Sequence, residues 1–138
     1  MPDRLLDTNA VAAAMKSDPA LAQYLKRVEG DEQILLSATV EGEIRFGIEL
    51  LPQGRRKRAL SKAFAEIMNS TDGVLAVTRS TAREYSSMKV DLWRRGKPMD
   101  ENDMWIAATA LEHGLSLVSN DAAFHNVPRL VVESWLDA

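Results

Sequence analysis

The apolar positions of this 138-residue chain fall into short runs separated by longer amphipathic stretches, the pattern of strands alternating with helices. Residues 4–6 form the first extended run and stop at Asp7, after which Ala10, Val11, Ala12, Ala13, Ala14 and Met15 read as helix. Asp18-Pro19 supplies a cap and a first-turn proline for a helix over 20–28, with Gly30 as its stop. Ile34, Leu35 and Leu36 predict a second strand, and Ser37 stands where the cap of a helix over 38–51 belongs, ended by Pro52. A helix over 55–68, a third buried strand over 74–77 and a helix over 80–95 follow, the last broken by Gly96 and Pro98. Residues 100–113 are again helical with Gly114 as the stop, 115–118 form a strand that leads into Asp121, and Leu130, Val131 and Val132 predict a last edge strand. The alternation predicts a single α/β domain over 1–138, with a central parallel sheet of about four to five strands and helices on both faces.

Composition narrows the chemistry. With 46% hydrophobic and 27% charged residues the chain suits one soluble domain, and no apolar run approaches the roughly 20 residues that span a bilayer. The first residues, interrupted by Asp3, Arg4, Asp7 and Asn9, lack a signal-peptide pattern, so a cytoplasmic location is expected. There is no cysteine and there are only two histidines, His113 and His125, so a metal would be held by oxygen. The net charge of -3 does not advertise nucleic-acid binding, which leaves local cationic runs to consider. Arg55, Arg56, Lys57 and Arg58 read as a solvated helix face, whereas Arg94, Arg95 and Lys97 directly precede the helix over 100–113 and are placed to hold phosphates at a cleft mouth.

Four acids stand out by position. Ligands of an open parallel sheet bind beyond the carboxyl ends of its strands, where Asp7 and Asp121 fall, although either could simply cap the next turn. At about 100° per residue, Glu43 lies within an apolar sector formed by Val40, Ile44, Phe46, Ile48, Leu50 and Leu51. A carboxylate there requires a cation, a hydrogen-bond network or a watered cleft, and a buried arginine would serve as well as a metal; Gly47, one turn on, leaves room for a cleft. Asp103 shares its helix side with Ile106, Ala107 and Ala110, and Asp100 reads as the cap of that helix. Gathered carboxylates repel unless a divalent cation neutralises them, and an all-oxygen site that retains water suits magnesium or manganese. Phosphodiester hydrolysis is the reaction class that fits. Trp93, Trp105 and Trp135 read as core or interface residues rather than stacking platforms, and Tyr85, Met88 and Leu92 as core or dimer surface.

The strings Leu5-Leu6-Asp7-Thr8-Asn9, Ser37 to Gly47 with Glu43, Asn102 to Ala110, and Val118-Ser119-Asn120-Asp121 together resemble the PIN-domain nucleases, in particular VapC-type toxins of toxin–antitoxin pairs. The resemblance extends to the closing Phe124, Val127-Pro128, Leu130 and Glu133-Ser134-Trp135. It implies that Asp7, Glu43 and Asp103 are the core catalytic and metal-binding acids, with Asp121 as the fourth, and that Thr8, Asn9, Ser37, Asn102 and Ser119 are supporting polar residues. It also implies a Mg2+- or Mn2+-dependent endoribonuclease, a homodimer, and inhibition by a small VapB-type antitoxin that covers the active-site groove. A solitary PIN nuclease in RNA processing, or a non-catalytic module that binds RNA or protein with the same fold, remain the alternatives. A haloacid-dehalogenase-type phosphatase is disfavoured because Asn9 occupies the place of its second aspartate.

Overall fold

The computed structural model describes residues 3–28 and 32–136. Its elements are β1 (Arg4–Leu6), α1 (Thr8–Met15), α2 (Pro19–Arg27), β2 (Ile34–Ser37), α3 (Ala38–Glu49), α4 (Arg55–Ser70), β3 (Val74–Leu75), α5 (Arg79–Arg94), α6 (Glu101–His113), β4 (Ser116–Val118), a 3-10 turn (Ala122–Asn126) and β5 (Val132–Glu133). The strands form one parallel sheet in the order β3-β2-β1-β4-β5. Every residue of β1 and β4 is buried, so side chains pointing to opposite faces are both covered, as helices on both sides require. Leu5, Leu6, Leu36, Leu117 and Val118 of the sheet pack with Val11, Val40, Ile106 and Phe124 in one core.

Local chemistry sets the boundaries. Asp18 caps α2 through Ala20 N–H, with Pro19 in the first turn, while Gly114 takes the left-handed conformation that ends α6. The expected stop at Gly30 lies outside the described residues; α2 ends at Arg27, with Val28 as its cap. The third strand is shorter and more exposed than expected. It pairs only Leu36 with Val74 and Ser37 with Leu75, because β2 ends where α3 begins and leaves Val77 nothing to pair with. The last strand likewise lies one or two residues later than expected: Val132 and Glu133 pair with Leu117 and Val118, and Val131 is exposed.

Between Arg4, at the start of β1, and Glu133, at the end of β5, lies a polar cluster that hydrophobic patterning does not reveal. The Arg4 guanidinium is buried, donates to Glu133 Oε1 at 3.0 Å and Tyr24 Oη at 2.9 Å, and pairs with Glu32; Tyr24 also donates to Glu133. Burial alone would push the Glu133 carboxyl up, but the Tyr24 and Arg4 hydrogen bonds outweigh it and hold the group below its ordinary range. The cluster ties β1, α2 and β5 together. Arg4→Ala strands these acids and the phenol, and should lower unfolding free energy by about 3 kcal/mol in a urea titration. A loss under about 1 kcal/mol would mean that water already solvates the cluster.

Candidate active site

The chain leaves β1 in one direction, through β2 to β3, and returns on the other side of β1 as β4. Ligands of such sheets bind at this reversal, beyond the carboxyl ends of the two central strands. Asp7 follows β1 there, and its N–H donates to the Val118 carbonyl at 3.2 Å, which joins the two strand ends. Asp121 follows β4 by three residues. Each aspartate does cap the turn behind it: Asp7 Oδ1 accepts from Ala10 N–H at 2.8 Å and Asp121 Oδ1 from Ala123 N–H at 2.9 Å. Capping uses one oxygen and so does not compete with a second role for the other. Ser119 links the pair, because its buried hydroxyl accepts from Asp121 N–H at 3.0 Å and donates to the Asp7 carboxylate.

Helices bring the other acids. Packing of α3 against α6 carries Glu43 and Asp103 to the same end of the sheet. The apolar sector expected on α3 is narrower than its composition: Val40, Ile44 and Ile48 are buried, but Phe46 is 65% and Leu50 68% exposed. Only one row of the helix meets the core, so Glu43 borders the buried face instead of lying inside it. Its Oε1 accepts from the Thr8 hydroxyl at 2.6 Å, and among the described residues it forms no ion pair with a buried arginine; the buried Arg4 is engaged by Glu32 and Glu133. Asp103 is half-buried in the first turn of α6, above fully buried Ala107 and Ala110. Asp100 occupies the cap position of that helix, yet its side chain makes no capping bond.

These acids feel one another. Burial is the main cause that pushes the Asp7 carboxyl up; the Ser119 hydroxyl and Ala10 N–H oppose it, and the charges of Asp121 and Glu43 reinforce it. Asp103 is pushed up to about 6, first by burial, then by the charges of Asp100, Asp121, Glu43 and Asp7. Asp100, set aside as a cap in the sequence, thus exerts the largest charge effect on Asp103. Among the described residues, none of the ion pairs formed by lysine, arginine or histidine includes any of the five. Nor do three acids already close into a finished metal-binding group. The two observations agree physically: carboxylates near enough to shift each other's ionisation also repel, and a magnesium-type site needs only one or two of them at the ion, with water and phosphate completing it. Carboxylates with serine and threonine hydroxyls are hard oxygen donors, so this set fits such a cation.

The remaining candidates divide. Ser37 is fully buried and caps α3 through Val40 N–H at 3.1 Å, whereas Asn9 is exposed and Asn102 is exposed beside a cleft that Glu43 also lines. Arg95 is engaged by Asp91 and the Asn126 carbonyl, while Arg94 and Lys97 are exposed at the tip of the α5–α6 hairpin. His113 lies 3.5 Å from Glu112 at the far end of α6 and His125 is exposed in the 3-10 turn. Trp135 is buried and Trp105 stacks on Tyr85 at 3.9 Å, but Trp93 is 79% exposed and no part of the core, since it falls outside the Met88 and Leu92 row that faces inward.

Fold and site together define a parallel α/β domain with an acid cluster at its strand reversal. Residues 4–130 match the PIN domain family. A VapC ribonuclease of Sinorhizobium fredii is 29% identical over 136 residues, covering 95% of this chain and 96% of that protein. Ribonuclease VapC2 of Haemophilus influenzae is 30% identical over 134 residues, covering 96% and 97%. In solved structures, VapBC2 from Rickettsia felis, bound to a DNA fragment from its promoter, aligns with a TM-score of 0.86 at 22% identity, over 96% of this chain and 98% of that one. The chain belongs to the PIN-domain family, among its VapC-type members.

The raised Asp103 carboxyl makes a signed prediction. Between its ordinary value of 3.8 and about 6 the folded protein holds more protons than the unfolded chain, so metal-free stability falls as pH rises through that window. Asp103→Asn should therefore melt higher than wild type above pH 6 in chelator, with the difference vanishing below pH 4. A variant less stable at every pH would contradict this.

Proposed function

We propose that this protein is a magnesium- or manganese-dependent endoribonuclease acting as the toxin of a toxin–antitoxin pair. The carrying observation is a set of mutually coupled carboxylates at the strand reversal that no lysine or arginine ion pair neutralises among the described residues. The ribonuclease names of the relatives support the substrate class. Asp7, Glu43, Asp103 and Asp121 would hold the cation, one or two of them directly and the others through its bound waters, and it would supply charge neutralisation and Lewis acidity at the scissile phosphodiester. The chain does the rest. Thr8 orients Glu43 by its 2.6 Å hydrogen bond, and Ser119 orients Asp7 and Asp121. Such an enzyme would work in the cytoplasm.

An apolar groove of about 230 Å3 between α1, α3 and α4 supports the antitoxin reading. Met15, Ile44, Ile48 and Leu60 line it, and a side chain added at Gly47 would meet nothing within 4 Å. Glu43 borders this groove, so a partner's apolar segment placed there ends at the acid cluster and can cover it. Exposed Val90 and Trp93 on α5 offer apolar surface for a homodimer.

Purified free of any partner, the protein should cut single-stranded RNA with Mn2+ and stop with chelator. Asp7→Asn, Glu43→Gln and Asp103→Asn should each lower kcat by about a hundredfold or more. Wild type that cuts no RNA across several RNA classes would overturn the enzyme reading. Lys97→Ala should weaken RNA binding and reduce the slope of log affinity against log salt by about one unit, whereas an unchanged slope would remove Lys97 from the RNA path.

A further inference from the structure

A second cleft, of about 430 Å3, lies beside the acid cluster and is lined by Thr39, Gly42, Glu43, Phe46 and Asn102. It shares Glu43 with the cluster, and Asn102 adjoins Asp103 in the first turn of α6. Three features give it a definite chemistry. The Phe46 ring stands in solvent, one helical turn from Glu43, where side chains three residues apart are about 5 Å apart at Cβ. The Thr39 hydroxyl and Asn102 amide make no side-chain hydrogen bond among the described residues, so both retain donor and acceptor capacity. The Gly42 backbone is bare, since an added Cβ would meet nothing within 4 Å.

We propose that this cleft seats the nucleobase next to the scissile phosphate, with Phe46 stacking on the base face and Asn102 and Thr39 bonding its edge. The proposal rests on reading the acid cluster as a ribonuclease centre. A strand whose phosphate reaches Glu43 carries its base one sugar away, over the surface where Phe46 stands. A flat ring with amphoteric polar groups beside it is what recognises an unstacked base. The partial polarity argues against an apolar protein segment as occupant, and the volume falls within the range of small-ligand sites, about 300 to 1,000 Å3. Phe46 thereby becomes a residue that sets which nucleotide flanks the cut.

The test uses short single-stranded RNAs carrying a fluorescent aminopurine base at successive positions, bound to the full-length protein with Ca2+ in place of Mn2+, which neutralises the acids but activates water too weakly for cutting to intervene. Wild type should quench the fluorescence at one position; Phe46→Ala should lose that quench and bind about tenfold more weakly, and Phe46→Trp should restore both. Gly42→Leu, which fills the cleft from a helical site that tolerates leucine, should also lose the quench. Wild-type binding and quench in both Phe46→Ala and Gly42→Leu would overturn the proposal. So would the absence of any quench in wild type combined with a Phe46→Ala change in oligomeric state by sedimentation, which would show that a second copy covers the ring. Wild type that quenches but cuts nothing with Mn2+ would uphold the base seat and overturn the ribonuclease reading instead.

Discussion

Like-charge repulsion at the strand reversal is the constraint around which this molecule is arranged. Two carboxylates a few ångströms apart repel by about 1 kcal/mol in water and by several times more where protein replaces solvent. The fold holds five at one end of the sheet, and the carboxyls of Asp7 and Asp103 are pushed up there, first by burial and further by the charges of their neighbours. The backbone bond from Asp7 to Val118 fixes two strand ends, and α6 is fixed from outside by the Tyr85–Trp105 stack and the Lys89–Glu101 pair in the turn that carries Asp103. Rigid elements keep the acids from relaxing apart, which is how a site is prepared for a charge that arrives from solution.

The disposition of cations follows the same logic. Arg4 is engaged with Glu32 and Glu133, Arg45 with Glu41, Arg95 with Asp91 and Arg129 with Glu84. A lysine or arginine placed among the acids would stabilise the fold and occupy the position that the proposed divalent ion and phosphate would take. Marginal folding free energy at such a site accompanies function.

Much of this was legible in the chain because it depends on local rules. Asp7 and Asp121 are legible because each follows an apolar strand, and the parallel sheet places such strand ends together. Glu43 stands out through an apolar sector broader than the one the fold buries: periodicity shows which residues share a face but not how much of it a neighbour covers, so exposed Phe46 and Leu50 belong to the sector without being buried. Asp100 was set aside because its position fits a cap, and only its missing capping bond and its effect on Asp103 return it to the cluster. The Arg4 cluster was invisible, since Glu133 is 129 residues away in sequence and Tyr24 is 20. Long-range polar pairing leaves no periodic trace.

The thermal midpoint of wild type beside an Asp7→Asn, Asp103→Asn double variant, measured in chelator and again in millimolar Mn2+, tests this account most directly. Relief of repulsion places the variant above wild type in chelator, and cation binding raises wild type past it, so the order of the two midpoints reverses. Manganese that moves both proteins equally, or neither, would contradict the claim that these carboxylates are held together for a divalent cation.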